Sequence, residues 1–168
     1  MDKLWAPWRM EYIVSDKTAE CVFCTAPPAN DDSGKKILYR GEHCFVMINI
    51  FPYSNGHLMV SPYRHLDCLT RLNEAELMET GKLIQKSMDI LRQVYAPEGF
   101  NVGYNIGKSG GAGFDNHIHA HIVPRWMGDT NFMPVLSETK VLPELIEGTY
   151  NRLQPLFQKL KLSNDRDR

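Results

Sequence analysis

Short stretches of apolar and β-branched residues alternate with polar ones over much of this chain, and one long stretch repeats at helical spacing. Ile37 to Tyr39 and Cys44 to Ile50 flank Gly41 and predict a hairpin. Gly56 to Ser61 reads as a third strand, stopped by Pro62. From Glu74 to Tyr95 the spacing changes. Leu77, Ile84, Met88, Leu91 and Tyr95 define one stripe of a helix, with Asn73 and Glu76 as its cap and Pro97 and Gly99 beyond its end. Phe100 to Ile106 and His117 to Val123 return to a period of two and predict two further strands. A second helix is expected from about Pro143, with Leu142, Leu145, Ile146, Leu153 and Leu156 on its apolar side and Pro155 kinking or ending it. Strands interrupted by a long helix predict an α+β fold with a mainly antiparallel sheet.

Composition narrows the class. At 168 residues, with 43% hydrophobic and 23% charged positions, the chain suits one globular domain. It divides into an N-terminal segment (1–35), a core (36–126) and a C-terminal extension (127–168). Pro27 to Gly34 carries strong loop signals, and Ser163 to Arg168 is a polar tail. The net charge of −1 gives no basic surplus for a nucleic-acid partner. No secretory pattern opens the sequence, and no run of about 18 apolar residues occurs, so the cytoplasm is the expected compartment and no membrane is expected as partner. In a reducing compartment Cys21 and Cys24 are a metal half-site or a redox pair, whereas Cys44 and Cys68 read as plain buried thiols.

The most informative segment is His117-Ile118-His119-Ala120-His121-Ile122-Val123. On a strand, alternate residues share a face, about 6.6 Å apart. The three histidines would then stand in a row opposite Ile118, Ala120 and Ile122. Such a row can be a satisfied polar face, a transition-metal site, or a nucleophile with flanking phosphate-binding groups. Upstream, NVGYNIGKSGGAG ends a strand in a loop with Gly107, Gly110, Gly111 and Gly113, where backbone amides can converge on a phosphate. Lys108 could add charge there. The loop running into the histidine row favours the nucleophile.

These residues, together with LWAPWRMEYI near the start, HIHAHIVPRW, and GDTNFMPVLSETKVLPE, resemble the histidine triad (HIT) superfamily of nucleotidyl hydrolases and transferases, in particular its diadenosine tetraphosphate phosphorylase-like branch. The resemblance implies a HIT-like fold and a nucleotidyl-histidine intermediate on His119, with His121 binding phosphate oxygens or assisting the leaving group. It places Asn49 on the ribose and His57 close to the nucleophile. Asn105, Ser109, Gly111, Ala112 and Gly113 fall on the phosphate loop. The sequence departs from the family where Gly113-Phe114-Asp115 replaces the usual polar residues before the triad, which leaves backbone amides for those contacts. Zinc-bearing relatives imply a structural site of Cys21, Cys24, His65 and His117, with no organic cofactor. A homodimer is the default. The base is expected against Phe45 and Ile48, while Trp126 and the GDTNFMP segment could line a second nucleotide's pocket, a dimer contact or core. The implied activity is cleavage of a dinucleoside polyphosphate at the α-phosphate, to ADP and ATP where phosphate is the acceptor. Alternatives are a nucleoside phosphoramidate hydrolase, a nucleotide-binding protein with weak activity, and a metalloenzyme using the triad as ligands.

Overall fold

The computed structural model describes residues 20–111, 116–129 and 142–162. Among these, short helices α1 (Val22–Thr25) and α2 (Asp32–Lys35) precede β1 (Ile37–Arg40), β2 (Cys44–Ile48) and β3 (Leu58–Pro62). Helix α3 (Glu74–Tyr95), strands β4 (Gly99–Tyr104) and β5 (Ala120–Arg125), and helix α4 (Ile146–Gln158) follow. The strands form a five-stranded sheet in the order β1-β2-β3-β5-β4. Every adjacent pair is antiparallel. The α+β expectation holds.

Both faces of this sheet are covered, which explains why β2 and β3 are buried along their whole length. Cys44, Val46, Ile48, Leu58, Val60, Ala120 and Ile122 pack with Leu83, Ile90 and Leu91 of α3 and Leu153 and Phe157 of α4. The alternate residues Phe45, Met47 and Met59 turn the other way and pack with Phe23 and Ala26, from α1 and its C-terminal end. The histidine side of β5 therefore lies under α1. Sequence alternation predicts the two faces, but the second cover comes from residues remote in the chain.

Several expectations need correction. The triad strand begins at Ala120, so His117 to His119 precede the ladder. The amide of Ile118 bonds to the Leu66 carbonyl, and the Ser61 hydroxyl donates to the Ile118 carbonyl, which holds this stretch by irregular contacts. The buried face of α3 is Glu76, Thr80, Leu83, Ser87, Ile90 and Leu91. Leu77 is half exposed, because at the start of the helix Glu76 and Thr80, which lie against Cys44 of β2, take the inward positions. Helix α4 starts at Ile146, leaving Leu145 exposed, and continues past Pro155 to Gln158. A proline three residues from the end of the helix removes one bond without breaking the rest. Cys68 is only half buried, unlike Cys44.

One buried carboxylate ties the helix start to the loop after β3. Glu76 accepts from Arg64 Nε and Nη2 at 2.6 and 2.7 Å and from the Asn73 amide at 2.9 Å. Asn73 Oδ1 in turn accepts from the Glu76 amide, closing a capping box. This clamp fixes the segment that carries His65. The Arg64 guanidinium, aided by the Asn73 amide, holds the Glu76 carboxyl below its usual range against the opposing effect of burial. The stabilisation is therefore fully present above the ordinary glutamate value of about 4.3 and is lost as pH falls through the lower folded-state value. Glu76→Gln should cost about 1–2 kcal/mol at neutral pH and flatten the acid side of the stability profile, as read by urea unfolding at a series of pH values.

Candidate active site and metal centre

The site is built around the entry to β5. His117, Ile118 and His119 are buried, and His121 is half buried between Met59 of β3 and Gly103 of β4. His119 Nδ1 lies 2.9 Å from the carbonyl oxygen of His117. A carbonyl only accepts, so Nδ1 carries the proton and Nε2 keeps its lone pair. The imidazole stacks on Phe23 with centroids 4.5 Å apart and planes at 28°, and meets the His121 ring edge-on at 4.7 Å. Burial lowers the His119 pKa, with the His117 carbonyl opposing, so the ring is neutral at physiological pH. A neutral imidazole with one pinned and one unprotonated nitrogen is equipped to attack an electrophilic phosphorus.

A second chain of contacts orients His121. The loop after β2 folds around His57, which is fully buried. Its Nδ1 accepts the Tyr53 amide at 3.1 Å, with the Asn49 side-chain amide at 3.5 Å. The proton of neutral His57 is thereby placed on Nε2, 3.0 Å from His121 Nδ1. His121, receiving there, carries its proton on Nε2; the Asn105 side chain, 3.4 Å away, accepts that proton only with its amide turned to present the oxygen. Burial first, then the neighbouring His119, pushes His121 down to about 4. Gly56 makes the turn into His57 possible. It has φ +71°, and a Cβ there would lie 3.0 Å from Leu91 Cδ2.

The structure thus brings together His119, His121, His57, Asn49 and Asn105. Asn49 does more than end a strand: its Oδ1 accepts the Phe51 amide at 2.9 Å. Ser109 and Gly111 are exposed on the loop after β4, where Gly107 and Gly111 have positive φ of 69° and 83°. Lys108 is exposed on the same loop. Ala112 and Gly113 lie outside the described residues, as do residues 4–13 and 130–140. Phe45 and Ile48 are fully buried in the two cores, because both faces of β2 are covered, so neither meets a base. The exposed apolar residues near Asn49 are instead Ile50 and Phe51. Trp126 donates from Nε1 to the Tyr95 carbonyl at 3.3 Å, which ties it to the end of α3. Sequence reasoning missed Tyr53, whose ring lies 4.8 Å from that of His57, and Phe23. The position of Phe23 inside the Cys-x-x-Cys was the available signal.

On the far side of His117 lies a cluster of ligand atoms. Cys21, Cys24, His65 and His117 offer donors that all fall within 4.8 Å of one another. Cys21 Sγ lies 3.3 Å from His117 Nδ1, and Cys24 Sγ lies 3.2 Å from His65 Nδ1. Tetrahedral zinc with two sulfurs and two nitrogens spaces its ligand atoms by about 3.3–3.8 Å, so the cluster matches in donor set and scale. His117 Nε2 lies 3.0 Å from the Pro62 carbonyl, which fixes the tautomer and points Nδ1 at the cysteines, as a ligating histidine requires. Burial pushes His117 down to about 4, keeping it neutral. Burial and the adjacent Cys21 thiol push Cys24 up to about 11, so the Cys24 thiol resists ionisation without a cation beside it.

Comparison with known proteins agrees with this architecture. The HIT domain model matches residues 30–127. An AP-4-A phosphorylase of Mycobacterium tuberculosis is 36% identical over 158 residues, covering 89% of this chain and 80% of that protein. The asymmetrical bis(5'-nucleosyl)-tetraphosphatase of Schizosaccharomyces pombe is 28% identical over 57% of this chain and 52% of its own length. Among solved structures, a zinc-bound histidine triad family protein from Mycobacterium smegmatis superposes with a TM-score of 0.64 at 26% identity, covering 83% of this chain and 94% of that one. Sequence match, sheet order and triad geometry lead to one assignment: the chain belongs to the HIT domain family.

Proposed function

We propose that this protein cleaves a dinucleoside polyphosphate of the diadenosine tetraphosphate kind at its α-phosphate, through a nucleotide carried on His119, with inorganic phosphate as the acceptor. The observation that carries the reading is the bond between His119 Nδ1 and the His117 carbonyl, which leaves Nε2 as the nucleophilic atom. The relatives named as an AP-4-A phosphorylase and a bis(5'-nucleosyl)-tetraphosphatase support the substrate class.

In this mechanism Asn49 holds the ribose, and Ile50 and Phe51 offer apolar surface to the base. The loop holding Asn105, Ser109, Gly111, Ala112 and Gly113 receives the phosphate chain. His119 Nε2 attacks the α-phosphorus in line, and the bond to the bridging oxygen breaks. The His121 Nε2 proton meets the charge on the departing oxygen, and ATP leaves. Phosphate then attacks the same phosphorus, the P–N bond breaks, and ADP is released with His119 restored. Cys21, Cys24, His65 and His117 would hold a zinc ion with a structural role, in line with the zinc-bound family member. No organic cofactor is needed for these steps. The working assembly is a homodimer, and the sheet edge at β4, where Val102 is 43% exposed, is available to a second copy.

Incubation with diadenosine tetraphosphate, with and without phosphate, tests the reaction. ADP plus ATP formed only with phosphate is the expected result, whereas AMP plus ATP regardless of phosphate would make water the acceptor. His119→Ala should lower turnover by at least about 10³-fold while nucleotide affinity changes only a few-fold. Turnover retained in that variant would remove the covalent step. For the metal, the purified chain should contain about one zinc, and Cys21→Ser should lose it and unfold at lower temperature. Stoichiometric metal persisting in Cys21→Ser would place the ion on the triad instead.

A further inference from the structure

The nucleophile is held on one face by a residue from outside the stretch that matches the HIT domain. Phe23 precedes residue 30, where that match begins. It sits between Cys21 and Cys24 on a helix of 4 residues and is 1% exposed. Its ring stacks on His119 at 4.5 Å and 28° and leans on His117 at 5.2 Å. A helix this short has little stability of its own, so what fixes the ring is its surroundings. Those are the sulfur and imidazole cluster on either side of it and the pocket of Ala26, Ile37, Phe45, Met47 and Met59.

The His117 carbonyl fixes only one atom of the His119 ring. A hydrogen bond at Nδ1 still tolerates a tilt of the ring about χ2, whose energy profile is broad, because such bonds weaken steeply only at angles below about 120°. That tilt turns the Nε2 lone pair off the line of attack. The Phe23 face removes that freedom on one side, and the His121 ring edge limits it on the other.

We propose that Phe23 is a positioning residue for the nucleophile, setting the plane of the His119 imidazole so that Nε2 points at the α-phosphorus. The inference rests on the covalent role given to His119 above. It makes the turn between the two cysteines a determinant of rate as well as of folding. Phe23 is too buried to meet substrate, so its loss acts on the chemical step and leaves ground-state binding alone.

The test uses the full-length, metal-loaded enzyme. Phe23→Leu and Phe23→Met keep an apolar side chain but remove the flat face. Each should lower kcat by about 10–100-fold with KM within about two-fold. Rapid-quench formation of the nucleotide adduct should slow by the same factor, with zinc content unchanged. In the proton spectrum, the His119 ring signals should lose the upfield shift that a stacked aromatic ring imposes. Leu153→Ala removes a buried side chain from the core on the opposite face of the sheet, away from Phe23 and His119, and should leave kcat unchanged. Equal rates in the Phe23 variants and the natural protein overturn the proposal, as does an equal loss in Leu153→Ala. If only one Phe23 variant folds, that one decides. Absence of any adduct in the natural protein strikes the covalent reading first and separates its failure from that of Phe23.

Discussion

One hydrogen bond, from His119 Nδ1 to the carbonyl of His117, sets the chemistry of this site. It exists because the chain enters β5 late. In a paired strand, the His117 carbonyl could be taken by a neighbouring strand's amide. Here the ladder starts at Ala120, the preceding stretch is held by Leu66 and Ser61, and the His117 oxygen accepts from a side chain two residues on. The same residue turns its own ring the other way, bonding the Pro62 carbonyl through Nε2 and facing the cysteines through Nδ1. His117 thus joins the cysteine cluster to His119 through its side chain on one side and its carbonyl on the other.

Burial supplies the rest of the electrostatics. His117, His119 and His121 are all pushed toward the neutral form, chiefly by desolvation. Neutral rings have definite tautomers, and here each tautomer follows from a fixed acceptor or donor. The Tyr53 amide settles His57, and His57 settles His121. The result is an unprotonated Nε2 on one histidine and a protonated Nε2 on its neighbour, with rings 4.7 Å apart. In the proposed mechanism, attacking and proton-donating groups of the same residue type are told apart by what holds their other nitrogens.

Much of this was legible in the sequence because it is written in local periodicity. The period-two spacing placed Ala120 and Ile122 in the core and His121 on the other face, although His117 to His119 precede the paired strand. The Asn73–Glu76 spacing announced the cap, and the antiparallel α+β arrangement followed from the order of elements. What escaped is what depends on residues far apart. Nothing near Phe45 or Ile48 indicates that β2 is covered on both faces. Leu77 fits the helical stripe by spacing alone and is exposed because Glu76 and Thr80 take the inward positions there. The four metal-type donors could be grouped only through family resemblance, since Cys21 and His117 stand 96 residues apart. The contact between Phe23 and His119 likewise joins residues 96 positions apart, with only the place of Phe23 inside the Cys-x-x-Cys to hint at it.

The central claim is a protonation pattern, and long-range proton–nitrogen NMR of the histidine side chains at neutral pH reads it directly. The account predicts that His119 carries its proton on Nδ1, with a pyridine-type Nε2. A His119 ring protonated at Nε2 would contradict it, since the atom assigned to attack would then have no lone pair to offer.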